Sequence, residues 1–82
     1  MMRSLKEIAS EIERECAGKA WYVYAEAYVT PMKSLNSMSD SYYLDSASSI
    51  VMYALANLGS WRGETARRVK AELNSMLKGV AA

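Results

Sequence analysis

A chain of 82 residues with a net charge of +1 has room for one compact domain, since domains commonly run to ~150 residues. Its 51% apolar and 23% charged residues exclude the polar, highly charged composition of disordered segments, and burial of roughly 60–65% of the unfolded surface leaves a modest margin of stability. The absence of histidine and a single cysteine, Cys16, argue against the commonest general base, the commonest metal ligand, an internal disulfide and any cysteine-based zinc site.

At the N-terminus, Met1-Met2-Arg3 runs straight into alternating charges without the apolar core of a secretory signal, so export by that route is not expected. With one cysteine, a reducing cytosol is the expected compartment. Ser4-Leu5-Lys6-Glu7 has the form of a capping box, in which Ser4 bonds the amide of Glu7 and Glu7 reaches back to the amide of Ser4. Leu5, Ile8, Ala9, Ile12 and Cys16 follow at helical spacing, opposite Glu7, Glu11, Glu13, Arg14 and Glu15. This predicts an amphipathic helix ending near Gly18, which can take the left-handed C-cap conformation. Cys16 lies on the apolar stripe and reads as a small core hydrophobe.

Lys19 to Thr30 sends two signals. Trp21, Tyr22, Val23, Tyr24, Tyr28 and Val29 favour a strand by propensity, whereas Trp21, Tyr24, Ala25, Tyr28, Met32 and Leu35 form a helical stripe. Helix is the reading, because a lone strand would find no second strand to satisfy its backbone. Thr30-Pro31 either starts a short further helix, with Pro31 in its first position, or kinks the existing one.

Asn36 to Ser46 is rich in Ser, Asp and Asn that bond their own backbone, predicting one long loop. Asp45 or Ser46 then caps a third helix with a stripe of Ala47, Ile50, Val51, Ala54, Leu55 and Leu58. Met52, Tyr53 and Ala56 make its remaining sides apolar, which predicts a central helix with Leu55 in the core. The longest apolar run, Ile50 to Ala56, is far short of the ~20 residues that span a bilayer, so no membrane partner is expected.

Gly59 is the expected end of that helix, and Ser60-Trp61-Arg62-Gly63 leads into the last one. There Ala66, Val69, Leu73, Met76, Leu77 and Val80 recur at helical spacing, and Glu64 precedes Arg68 in the favourable order for a helical ion pair. The expected fold is all-α: a compact bundle of four helices in one domain, residues 1–82, with room for a fifth short helix after Pro31.

Functional signals are few. Nothing pairs two carboxylates across a cleft, Asp40 and Asp45 lack the ligand count of a calcium loop, and Cys16 has no histidine to activate it. The expectation is a non-enzymatic protein with no cofactor and no metal. Its aromatics are Trp21, Trp61 and six tyrosines, which suit half-buried positions and interfaces. Tyr42 and Tyr43 sit in the polar loop, where little core can receive both. With Asp40, Asp45, Trp61, Arg62, Arg67 and Arg68 they form the candidate contact surface, since aromatic residues and arginine dominate interface hot spots. Self-association is a variant, with a second copy covering Met52, Tyr53 and Ala56. Arg62, Arg67, Arg68, Lys70 and Lys78 give the alternative reading: a basic last helix after a glycine turn outlines a helix-turn-helix transcription regulator that binds DNA.

The run from Trp61 to Leu73, Trp-Arg-Gly-Glu-Thr-Ala-Arg-Arg-Val-Lys-Ala-Glu-Leu, preceded by Tyr43-Leu44-Asp45-Ser46, resembles small proteins encoded in bacteriophages and prophages. The resemblance spans roughly residues 28–77 and leaves out the first helix. It implies a phage origin and a place in the bacterial host cytosol. By analogy of class it also implies an inhibitor of host defence, of the anti-CRISPR or anti-restriction type, that occupies the surface of a host protein complex.

Overall fold

A computed structural model of the chain describes residues 3–42 and 45–81, and for Ser41, Tyr42, Val80 and Ala81 it describes the backbone alone. Four helices make up the fold: α1 (Leu5–Cys16), α2 (Tyr22–Met32), α3 (Ala47–Ala56) and α4 (Glu64–Ala81). The class is all-α, as the sequence pattern predicts.

In α1 both arms of the capping box form. Ser4 Oγ accepts from the Glu7 amide at 3.2 Å, and the Ser4 amide donates to Glu7 Oε1 at 2.9 Å. Two further first-turn amides, which have no partner inside a helix, donate to the segment after α2: Leu5 N to Asn36 O at 3.0 Å and Lys6 N to Leu35 O at 2.9 Å. All five residues of the predicted stripe are fully buried. The chain leaves through Gly18 at φ +94°, a conformation that a side chain would strain.

Helix wins over strand in α2, with a rotated face. The buried residues are Tyr22, Ala25, Val29 and Met32, whereas Tyr24, expected inside, is 70% exposed. Small Ala25 and compact Val29 let neighbouring helices approach; Tyr22 enters the core, Tyr28 stays half-buried and Tyr24 turns to solvent. Pro31 lies in the last turn of α2. It cannot bond Ala27 O, and the chain tightens into three-residue turns, with Lys33 N on Thr30 O, Ser34 N on Pro31 O and Leu35 N on Met32 O at 3.0–3.1 Å. The fifth helix therefore does not form among the described residues.

The expected loop at 36–46 holds a small hairpin. Strands β1 (Ser41–Tyr42) and β2 (Asp45–Ser46) pair antiparallel, Ser41 opposite Ser46 and Tyr42 opposite Asp45. The Asp40 carboxylate closes its base by accepting from the amides of Asn36 (2.9 Å) and Ser37 (3.3 Å), while Asp40 O accepts from Ala47 N at 2.9 Å.

Ser46 caps α3 by accepting from the Ser49 amide at 3.2 Å. Ala47, Ile50, Val51 and Ala54 face inward. Three details depart from the sequence reading. The helix stops at Asn57, whose amide and side chain both bond Tyr53 O, so Gly59 is not its terminator. Leu55 is only half-buried, and the fully buried leucine is Leu58, beyond the helix end. Met52 and Tyr53 are 59% and 58% exposed, so α3 is not enclosed.

Gly63, at φ +111°, leads into α4, which buries Ala66, Val69, Leu73 and Met76. Helix α2 lies chiefly against α3, α1 against α2 and α4 against α3. The radius of gyration, 11.6 Å, matches the ~12 Å of a compact chain this long, and the 19 Å short axis is two helix layers deep at ~10 Å each. Among the described residues no helix is long and apolar enough to cross a membrane.

Candidate functional site

The residues singled out from the sequence fall into two groups at opposite ends of α3, ten residues or ~15 Å long. Before it lie Asp40, the β1–β2 pair and exposed Asp45. Tyr42 is described by its backbone alone, and Tyr43 lies outside the described residues. After it, Trp61, Arg62, Gly63, Arg67 and Lys70 line a shallow depression of ≈ 570 Å³. Arg62 and Arg67 are exposed there, but Trp61 is 6% exposed and belongs to the core, which removes its indole from the contact surface expected of it. Lys70 Nζ is bound to Trp61 O at 2.7 Å.

Arg68 faces away from this depression. It donates to Glu11 of α1 rather than pairing with Glu64 on its own helix, because a carboxylate already held by Arg3 stands opposite. Arg3 Nη1 lies 2.7 Å from Glu11 Oε1, and its Nε and Nη2 grip the Glu72 carboxylate at 3.1 and 2.6 Å. The cluster Arg68–Glu11–Arg3–Glu72 thus ties the N-terminal segment and α1 to α4. Partial burial pushes the Glu11 carboxyl up, and the ion pair with Arg3 and the hydrogen bond from Arg68 together outweigh this and hold it below the usual range. Lys33 grips Glu13 at 2.9 and 3.1 Å and ties α1 to the end of α2.

Helices α2 and α3 are of a different kind. Among the described residues the exposed large hydrophobics are Val23 and Tyr24 of α2 and Met52 and Tyr53 of α3, at 58–70%. Tyr28 and Tyr53 stack across the two helices with ring centres 5.3 Å apart and planes at 25°. Ala27, Tyr28, Pro31, Asp45, Ser49, Ile50 and Tyr53 line one cleft between α2 and α3. On the other flank, Ser48, Met52, Leu55, Ala56, Asn74, Leu77 and Lys78 line an open groove of ≈ 730 Å³ between α3 and α4. Helix α3 has no charged residue, and α2 has only Glu26. Sequence reasoning noticed Met52, Tyr53 and Ala56 and missed Val23 and Tyr24. The available signal was the run of two neighbouring helices almost without charge.

The Cys16 thiol is fully buried and pushed up to about 11 by burial, then by the nearby Glu15, which keeps it protonated at neutral pH. The Tyr22 hydroxyl is buried without a hydrogen-bond partner among the described residues, and burial pushes its phenol up to about 12. No group of three potential ligands for a metal ion occurs among the described residues. No family model, no curated protein and no solved structure matches the chain.

Proposed function

We propose that this protein is a non-enzymatic binding protein of the phage type, acting in the bacterial cytosol by stoichiometric contact with a host defence complex. One observation carries the reading. Val23 and Tyr24 of α2 and Met52 and Tyr53 of α3 stay 58–70% exposed, and α3 carries no charged residue, although α1 and α4 bury their apolar stripes. A small domain gains nothing by leaving large apolar side chains in water, and the stacked Tyr28 and Tyr53 beside Met52 on a helix without charge have the composition of an interface core. The exposed Arg62 and Arg67 would add a polar rim contact at the far end of α3.

The alternative, a DNA-binding regulator, draws support from Arg62 and Arg67 beside the turn at Gly63. Weighing against it, Arg68 is held by Glu11 and Lys70 by Trp61 O, and seven residues separate α3 from α4 where a helix-turn-helix has a turn of ~3–4. A pull-down of the tagged protein from bacterial lysate, half of it nuclease-treated, separates the two. A near-stoichiometric protein that survives nuclease and is lost with Tyr53→Glu supports the protein-contact reading. Partners lost with the nucleic acid, and with Arg67→Ala, support the alternative.

A further inference from the structure

We propose that the depression at the start of α4, lined by Arg62, Arg67 and Lys70, docks an acidic segment of the partner protein, one that presents neighbouring Asp or Glu side chains. The inference rests on the reading of the chain as a protein-contact module and gives that partner its chemistry.

Charge selects the occupant. The lining holds three cations and no carboxylate, in a chain whose net charge is only +1. Elsewhere the same kinds of side chain are neutralised within the fold: Arg3 by Glu11 and Glu72, Arg68 by Glu11, and Lys33 by Glu13. Arg62 and Arg67 are exposed and, among the described residues, are bonded to no carboxylate. Glu64, four residues before Arg68, lies outside the lining. A carboxylate entering the depression therefore meets attraction from three sides, and the planar guanidinium forks of the two arginines match its paired oxygens.

The floor is fixed in advance. Trp61 is packed into the core, its amide donates to Leu58 O at 3.0 Å, and Lys70 Nζ donates to Trp61 O at 2.7 Å. The backbone oxygen that would repel an anion is thus already covered by a cation. The volume of ≈ 570 Å³ falls within the ~300–1,000 Å³ of ligand sites.

Extent separates an acidic protein segment from a nucleic acid. The basic surface is a patch and not a track: Arg68 is held by Glu11, Glu72 by Arg3, and the next cation on α4 after Lys70 is Lys78, more than two turns on and in the groove beside α3. Proteins that grip duplex DNA commonly neutralise about 6–10 phosphates along the backbone, and this patch offers charge for roughly three. Two or three neighbouring carboxylates match it.

The test is a nuclear magnetic resonance titration of the full chain with four probes: a short peptide of Glu-Gly repeats, its Gln-Gly counterpart, inorganic phosphate and a DNA duplex. The result expected is that the Glu-Gly peptide shifts the amides of residues 59–70 and the Trp61 indole, and that the Gln-Gly peptide does not. Arg62→Gln/Arg67→Gln, with an unchanged melt, should weaken the acidic peptide about fivefold or more, each exposed charge pair contributing a factor of a few. Arg14→Gln, at an exposed cation on α1, should leave it unchanged. Binding of the Gln-Gly peptide to the same residues overturns the proposal, as does acidic-peptide binding undiminished in the double variant. Phosphate or duplex bound as tightly as the acidic peptide overturns it too, in favour of a small-anion or nucleic-acid site. If the acidic peptide fails while parent and double variant capture the same nuclease-resistant host protein, the acidic segment falls and the protein-contact reading stands. If the parent captures no nuclease-resistant protein, that reading falls and the proposal with it.

Discussion

Helices α1 and α3 are of similar length, twelve and ten residues, yet they are built on opposite rules. Helix α1 hides one complete stripe, from Leu5 to Cys16, and turns charges outward, where Glu11 and Glu13 are gripped by Arg3, Arg68 and Lys33. Helix α3 carries no charge, buries Ala47, Ile50, Val51 and Ala54, and leaves Met52 and Tyr53 in solvent. A helix with a charged side is complete within one chain. Helix α3 keeps a second apolar side in solvent, and on the proposed reading that side is the contact surface.

Substitutions can break that contrast. The largest effect is expected in the enclosed stripe: Ile12→Ala, or Leu58→Ala beyond α3, should cost about 2–5 kcal/mol in urea unfolding, a large share of the stability of so small a domain. Leu55→Ala, at a half-buried position on the α3–α4 groove, should cost clearly less than Leu58→Ala. Equal losses would restore Leu55 to the core and remove the groove from the argument.

Next comes the ion cluster. Glu11→Gln should cost about 1–2 kcal/mol, at the low end for hydrogen bonds to charged groups because Arg68 is half exposed to screening water. Glu11 and Glu7 both titrate below the ordinary ~4.3 in the fold, Glu11 through Arg3 and Arg68 against burial, and Glu7 through the amide and hydroxyl of Ser4. Between the folded and unfolded values the unfolded chain binds more protons. Their contribution is therefore complete above about pH 5 and is lost as pH falls through the lowered folded values. Unfolding midpoints measured between pH 7 and pH 3 should drop toward acid, and Glu11→Gln should flatten the drop.

Smaller still is the cap: Ser4→Ala should cost about 1 kcal/mol, read as a lowered melting temperature. The smallest effect belongs to the exposed face, where Met52→Lys should change stability by no more than about 0.5 kcal/mol while lowering the affinity for whatever protein covers it. A large loss of stability with Met52→Lys would mean that the face is structural after all.

How far the sequence could be read follows the same division. Helix α1 was legible in its start and its buried stripe, because the capping box and the apolar spacing point one way, and its end at Cys16 falls two residues before the expected glycine. In α2 the strongest hydrophobic signals came from aromatic residues, and these can tolerate the rim. The inward face was set instead by Ala25 and Val29, whose small size matters only once neighbouring helices are in place. The end of α3 was misread because Gly59 is the conventional stop, whereas Asn57 reaches Tyr53 O with its own side chain. Arg68 has its partner 57 residues away, beyond the reach of any local pattern. The candidate surface failed to assemble for a related reason: Asp45 and Arg62 look close along the chain but are held apart by the length of α3. The uncharged composition of α3 was visible throughout, and only packing could show which of its sides stays open.

The most direct test of the account places a photoreactive benzoylphenylalanine at position 53 and, in a second variant, at position 67, and irradiates each in bacterial cells. A protein cross-link is expected at position 53, at the mass of two chains or of one chain with a host protein, that is insensitive to nuclease. A position 53 that gives no protein product, while position 67 gives a nuclease-sensitive one, would contradict it.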